Sequence, residues 1–260
     1  RNPEALRQAL ITSQKRIDSL KGDPDLQIAL ITQVGDLFEG MSDRKLVIPV
    51  LKRRVELIAA RFRADSQQAR EAEFAYLIME VDQGTRIEAA RLLPELLLRI
   101  EAYEGRGSEN WFQAQHLLVR VWIKLRRGAE AVAAADGAVA EARRLGLTAD
   151  RLFLILVSRA EALEMKRDYP AAEAQLQECL MISDATNAPA ERRVEAEHFL
   201  VDLEMSRGDL TRAADMQAAL VRRVRSESGT GSPALIFHLQ RLAEIEQRAK
   251  RHEAAIRHAG

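Results

Sequence analysis

Polar turn pairs recur along this chain at an almost constant spacing, and that regularity restricts the fold more than any single motif does. Ser42-Asp43, Gly84-Thr85, Arg126-Arg127, Arg167-Asp168, Gly208-Asp209 and Lys250-Arg251 follow one another at intervals of 42, 42, 41, 41 and 42 residues. A fixed period of this length marks stacked supersecondary units, none of which buries its apolar face alone. Between the turns Ala, Leu, Glu, Arg and Gln dominate, and apolar residues return at helical spacing, as in Leu92, Leu93, Leu96, Leu97 and Ile100, or Phe153, Leu156, Val157, Ala160 and Leu163. Short polar breaks at 21–24, 40–43, 84, 105–110, 146–150, 186–190, 208–209 and 226–233 separate the helical stretches by the few residues an antiparallel hairpin needs. The expected fold is all-α, a right-handed superhelical solenoid of antiparallel helix hairpins with about thirteen helices.

Small or apolar residues sit five positions after each turn, at Val47, Ala89, Ala131, Ala172, Ala213 and Ala255, and four further on at Leu51, Leu93, Ala135 and Leu176. That alternation lets the two helices of a hairpin approach closely while Leu fills the remaining space. One period earlier the same slots fall on Ala5 and Ala9, so 1–21 reads as the second helix of a truncated repeat. The remaining copies span 25–63, 67–104, 109–145, 150–185, 190–225 and a truncated 233–260, about six repeats in one array. The chain starts at Arg1 and stops at Gly260 inside a helical pattern, as expected of a piece excised from a longer protein.

These residues resemble the tetratricopeptide repeat (TPR). Val34-Gly35 with Phe38 matches the first-helix pattern; Leu156, Ala160 and Leu163 leading to Arg167-Asp168-Tyr169-Pro170-Ala171-Ala172 and Leu176 match a whole unit, and Gly208-Asp209-Leu210 with Ala213 matches a turn and slot. The period exceeds the family's usual 34 by about eight residues, roughly one extra turn per helix. Arg16-Ile17 through Gly22-Asp23-Pro24, Val34-Gly35-Asp36-Leu37-Phe38 and Pro49-Val50-Leu51 look like the long-period arrays attached to bacterial serine/threonine protein kinases and winged-helix transcriptional regulators. What the resemblance implies is an accessory sensing or docking module of a signalling protein, in the cytoplasm or on the extracytoplasmic side of a membrane-anchored parent.

Composition closes off other classes. Thirty-nine basic residues balance 39 acidic ones, and no aromatics interleave the runs Lys52-Arg53-Arg54, Arg192-Arg193 and Arg222-Arg223, so these read as solvated faces and no nucleic-acid contact is expected. No stretch of about 18 apolar residues occurs, so no membrane insertion by this region is expected. The five histidines, His116, His198, His238, His252 and His258, lack metal-ligand spacing. Cys179, three residues after Leu176, reads as a buried hydrophobe. Gly105-Arg106-Gly107 and Gly229-Thr230-Gly231 have no strand before them and no Gly-Lys-Ser/Thr after, so they read as loops. No catalytic constellation, cofactor site or metal site is expected. Trp122 continues the stripe Leu118, Val121, Trp122 and Leu125 and is expected in a hairpin core, while Ser108 and Asn110 are placed to cap the helix that begins near Trp111. Pro49 and Pro94 are expected inside second helices, each removing an N–H from the ladder.

The repeat register assigns a concave face to the first helix of each copy. Its candidate partner-binding positions are Thr32, Asp36 and Glu39; Phe74, Ile78 and Asp82; His116, Arg120 and Lys124; Val157, Glu161 and Glu164; His198, Asp202 and Met205; and Gln240 and Glu244. Such a face suits a protein or peptide segment with a carboxylate near Arg120 and Lys124, basic residues near Glu161, Glu164 and Asp202, and an apolar anchor near Phe74 and Ile78. Two function classes fit: a non-catalytic interaction or sensing module, and a ligand-gated regulator whose repeats bind a signal peptide or small metabolite and act on an attached domain.

Overall fold

The computed structural model describes the backbone of residues 3–20, 22–39, 47–147, 149–186 and 189–259. Twelve helices and no strands occur among them: α1 (Pro3–Ser19), α2 (Pro24–Glu39), α3 (Ile48–Arg61), α4 (Gln67–Gln83), α5 (Ile87–Glu104), α6 (Glu109–Lys124), α7 (Gly128–Arg144), α8 (Ala149–Met165), α9 (Tyr169–Thr186), α10 (Ala190–Arg207), α11 (Leu210–Ser228) and α12 (Pro233–Ala259). They divide into two compact units, Arg1–Leu125 and Arg126–Gly260. Within each unit every helix packs on the next in sequence, and α4 also meets α6 in the first unit as α8 meets α10 in the second. First helices therefore line up beside first helices, as a stack of hairpins requires.

The turn period has a backbone cause. Arg126, Arg167 and Gly208, at successive intervals of 41 residues, all occupy the left-handed region, with φ of 62°, 61° and 90°. Each is the reversal point of a hairpin. After α8 the Asp168 N–H donates to the Leu163 carbonyl (3.0 Å) and the Arg167 N–H to that of Glu164 (2.8 Å); after α10 Asp209 and Gly208 repeat the arrangement with Glu204 and Met205 (3.1 and 3.2 Å). These paired bonds satisfy the carbonyls a helix end leaves over. The next helix is capped at once: the Asp168 carboxylate accepts from the Ala171 N–H (3.3 Å) and that of Asp209 from the Arg212 N–H (3.0 Å). Ser42-Asp43 lies outside the described residues.

The slot residues are where the hairpins close. Val47, Ala89, Ala131, Ala172 and Ala213 are all fully buried, as are Leu51, Leu93, Ala135 and Leu176 four positions on. Gly35 serves the same end on α2, where an added Cβ would stand 3.6 Å from Leu51 of α3. Between neighbouring hairpins within each unit, ion pairs join second helix to second helix: Arg53 to Asp18 (2.8 Å), Lys52 to Glu88 (3.0 Å) and Arg143 to Glu178 (2.9 Å). They are half-exposed, so each contributes about 1 kcal/mol or less and the slots carry the packing.

Several expectations are corrected. No turn forms at Lys250-Arg251; α12 continues to Ala259, because Ala249-Lys250-Arg251-His252-Glu253 contains neither Gly, Pro nor Asp to stop it. Ala255 lies outside the residues whose side chains are described. Ala5 and Ala9 are exposed, since no described helix packs on that face of α1. Pro49 sits in the first turn of α3, where its missing N–H is no loss, whereas Pro94 is inside α5. Trp122 is not the core tryptophan. Trp111 is the buried one, its indole N–H donating to Glu101 (3.3 Å) and its ring edge-on to Phe112 (5.0 Å between centroids), while Trp122 is half-buried. Ser108 does cap α6, accepting from the Trp111 N–H at 3.3 Å, but Asn110 instead donates to Glu104 (2.7 Å).

Candidate functional site

In the first unit, α4 and α6 bring together six of the candidate positions. Phe74 and Ile78 wall a cleft of about 230 Å³ whose floor includes Ala75 and Ile100 and whose rim carries Arg70, Glu104 and Asn110. The Arg70 guanidinium is held by Glu104 at 3.1 Å, and Glu71 and Gln113 complete the polar part of the lining around an apolar centre. One turn along, Arg120 pairs with Asp82 and the Lys124 ammonium stands 3.9 Å from the same carboxylate. The basic third copy is thus partly cancelled by the acidic end of the second, and Arg120 is not the solvated side chain the register suggests. His116 is likewise no added charge: burial, and then the neighbouring Arg120, push its imidazole down to about 4, against the pull of Asp82. On α2, Thr32 is half-buried and Asp36 exposed; the side chain of Glu39 lies outside the described residues.

In the second unit, α8, α10 and α12 line an open cleft of about 360 Å³. Glu161 and Glu164 come from α8, and Asp202 and Met205 from α10, all four named by the register. Phe199, Ser206 and Arg248 complete the lining and were missed. Ser206 lies four residues beyond Asp202 and Arg248 four beyond Glu244, so extending the helical register by one turn finds both. The Ser206 hydroxyl donates to Glu164, and Asp202 is shared between Arg241 and the His198 Nε2, the latter at 3.4 Å. Gln240 and Glu244 are exposed on α12 but do not line the cleft. Val157 is corrected: at 5% exposure it belongs to the core, because α8 is covered by α7, α9 and α10 and its neighbour Leu156 lies on the same packed side.

His198 is also only partly a surface group. Its ring packs against Phe199, Phe237 and His238 at centroid distances of 6.0, 5.6 and 5.8 Å. Burial, then Arg241 and His238, push it down to about 4, so it is neutral at ordinary pH. Cys179 is fully buried with its thiol pushed up to about 12 by that burial, which leaves it unreactive. Among the described residues no three His, Cys, Asp or Glu side chains are grouped to hold a metal, and no helix is long and apolar enough to cross a membrane.

No family model matches the chain, and no curated protein does. Solved structures do. A putative kinesin light chain from Podosopora anserina with nearly identical TPR-like repeats superposes with a TM-score of 0.65 at 15% identity, covering 80% of this chain and 99% of that one. BtubC (BKLC) from P. vanneervenii gives 0.63 at 15%, covering 88% and 93%. A signal-transduction ATPase with numerous domains from Pyrococcus horikoshii, described as having a tetratricopeptide repeat sensor, gives 0.59 at 14%, covering 87% of this chain and 34% of its own length. At these identities the likeness is one of architecture, and it shows that the chain has the all-α fold of TPR-like helical-repeat solenoids.

Proposed function

We propose that this chain is a non-catalytic protein-interaction or sensing module of a bacterial signalling or regulatory protein, and that its two units belong to one repeat array. The observation that carries the reading is the second unit's cleft. Two carboxylates, Glu161 and Glu164, stand with Phe199 and Met205, while Asp202 is already paired with Arg241 and Arg248 is the one basic group on the described lining, so the cleft offers acidic and apolar area to a segment with a basic residue next to an apolar one. The apolar cleft of Phe74 and Ile78 offers an anchor of a second kind. A ligand-gated regulator is the second reading, favoured by the description of the Pyrococcus horikoshii relative's repeats as a sensor.

Fluorescence-polarisation titration of a peptide panel, varied in basic, acidic and apolar content, tests the proposal. Basic-apolar peptides are expected to bind, and Glu161→Gln with Glu164→Gln is expected to weaken them by about tenfold or more. Equal binding by wild type and variant, or a preference for acidic peptides, would sink it.

A further inference from the structure

The slot that closes each hairpin is apolar in four copies, Leu51, Leu93, Ala135 and Leu176, and becomes Gln217 in the fifth. Gln217 is fully buried on α11, yet it is polar. Its Nε2 donates to the backbone carbonyl of His238 on α12 (2.9 Å) and stands 3.3 Å from the Nδ1 of the same ring. The carbonyl fixes the amide's orientation, because a flipped amide would set Oε1 against that oxygen. Nδ1 must therefore accept, so the contact fits only the neutral ring with its proton on Nε2. His238 is itself 5% exposed, and its ring meets that of His198 on α10, whose own Nδ1 is buried without a hydrogen-bond partner.

We propose that this three-residue contact is an acid-sensitive latch: α12 sits on the α10–α11 hairpin while both rings are neutral and lets go when they take up protons. A proton on His238 Nδ1 would point an N–H at the N–H of Gln217. One on His198 Nδ1 would put a buried N–H where the described residues give it no hydrogen-bond partner, on a ring whose charging the Arg241 guanidinium already opposes. The groups that face these rings come from every element around them: His198 and Asp202 from α10, Gln217 from α11, and His238, Arg241 and Glu244 from α12. Asp202 Oδ2 faces the His198 Nε2 at 3.4 Å while Arg241 holds Oδ1, so it offsets part of the cost of charging His198 but none of the cost at the His238–Gln217 contact. Burial lowers the proton affinity of both rings, so the seated form binds fewer protons than the released one, and seating weakens as pH falls below the ordinary histidine value of about 6.5. Release uncovers Leu220, Val221 and Val224 of α11, which α12 covers with Leu235, and so offers an apolar strip that is closed at neutral pH.

Hydrogen exchange read by mass spectrometry on the full chain, at about pH 7.5 and about pH 5.5 with labelling times scaled to the intrinsic rate, tests the latch. Protection of residues 233–250 is expected to fall by roughly tenfold for each ring titrated per pH unit, while the histidine-free α8–α9 hairpin stays protected. Gln217→Leu with His238→Leu restores the apolar slot and is expected to shrink the response. Gln217→Glu, whose carboxylate accepts from a protonated Nδ1, is expected to keep α12 seated to lower pH. His252→Gln with His258→Gln is expected to respond like wild type. Unchanged α12 protection across the two pH values overturns the proposal, as does a full response in the Leu pair, early release in Gln217→Glu, or loss of the response in the His252 and His258 variant.

Discussion

Ala172→Leu is the sharpest probe of the hairpin seam. Ala172 is fully buried on α9, in one stripe with Leu176 and Cys179, and Cys179 lies close enough to α8 for its Sγ to stand 3.8 Å from the Phe153 carbonyl. Leucine adds three heavy atoms. Were the helices free to part without loss, burying them would gain about 2.4 kcal/mol at about 0.8 per methylene. They are not free, because Phe153, Leu156 and Leu176 fill the seam at 2% exposure or less, so the larger side chain must displace α9 and forfeit dispersion contacts along several turns. Overpacking of this kind is expected to win, with a net destabilisation of about 1–3 kcal/mol. Ala174→Leu, on the same helix but exposed, is the matched control and should stay within about 0.5 kcal/mol, as should Arg222→Ala on the outer face of α11. Urea unfolding followed by far-ultraviolet circular dichroism reads the whole chain. Tryptophan fluorescence reads the first unit, which holds both Trp111 and Trp122, and serves as an internal reference. Equal midpoints for Ala172→Leu and Ala174→Leu would refute the assignment of the seam.

Acid should weaken the first unit through His116. Its folded value of about 4 lies below the unfolded value near 6.5, so the folded state binds fewer protons; the contribution is present above about 6.5 and is lost as pH falls toward about 4, up to about 3 kcal/mol in all. Tryptophan-monitored unfolding at several pH values should therefore slope downward over that window, and His116→Gln should flatten the slope. Arg120→Glu removes the pairing with Asp82 and replaces it with repulsion at about 30% side-chain exposure, so a loss of about 1–2 kcal/mol is expected, with recovery when Asp82→Arg is added. Thermal melts of the two single variants and the double variant check this, and a melt of Arg120→Glu indistinguishable from wild type would show the side chain to be solvated after all.

The hairpin period was legible in the sequence because the features that write it are local. A left-handed residue, a carboxylate or hydroxyl cap and a small slot residue act within a few positions of one another, so Arg167-Asp168 with Ala172 and Gly208-Asp209 with Ala213 announce the same unit wherever they stand. Where the period was extended against that local chemistry it failed: Lys250-Arg251 holds no breaker, and α12 runs through it. The candidate face was legible only in part. Glu161, Glu164, Asp202 and Met205 meet in one cleft because helical spacing places them on one side of α8 and α10. Yet spacing says which residues share a face and not what covers that face. Val157 is buried by neighbouring helices, Trp111 takes the core place expected of Trp122, and Asp82 cancels charge on Arg120 across 38 residues of chain. Burial and ion pairing are set by atoms brought from distant segments, each at a distance of a few ångströms that no local pattern encodes, so only the packed hairpins decide them.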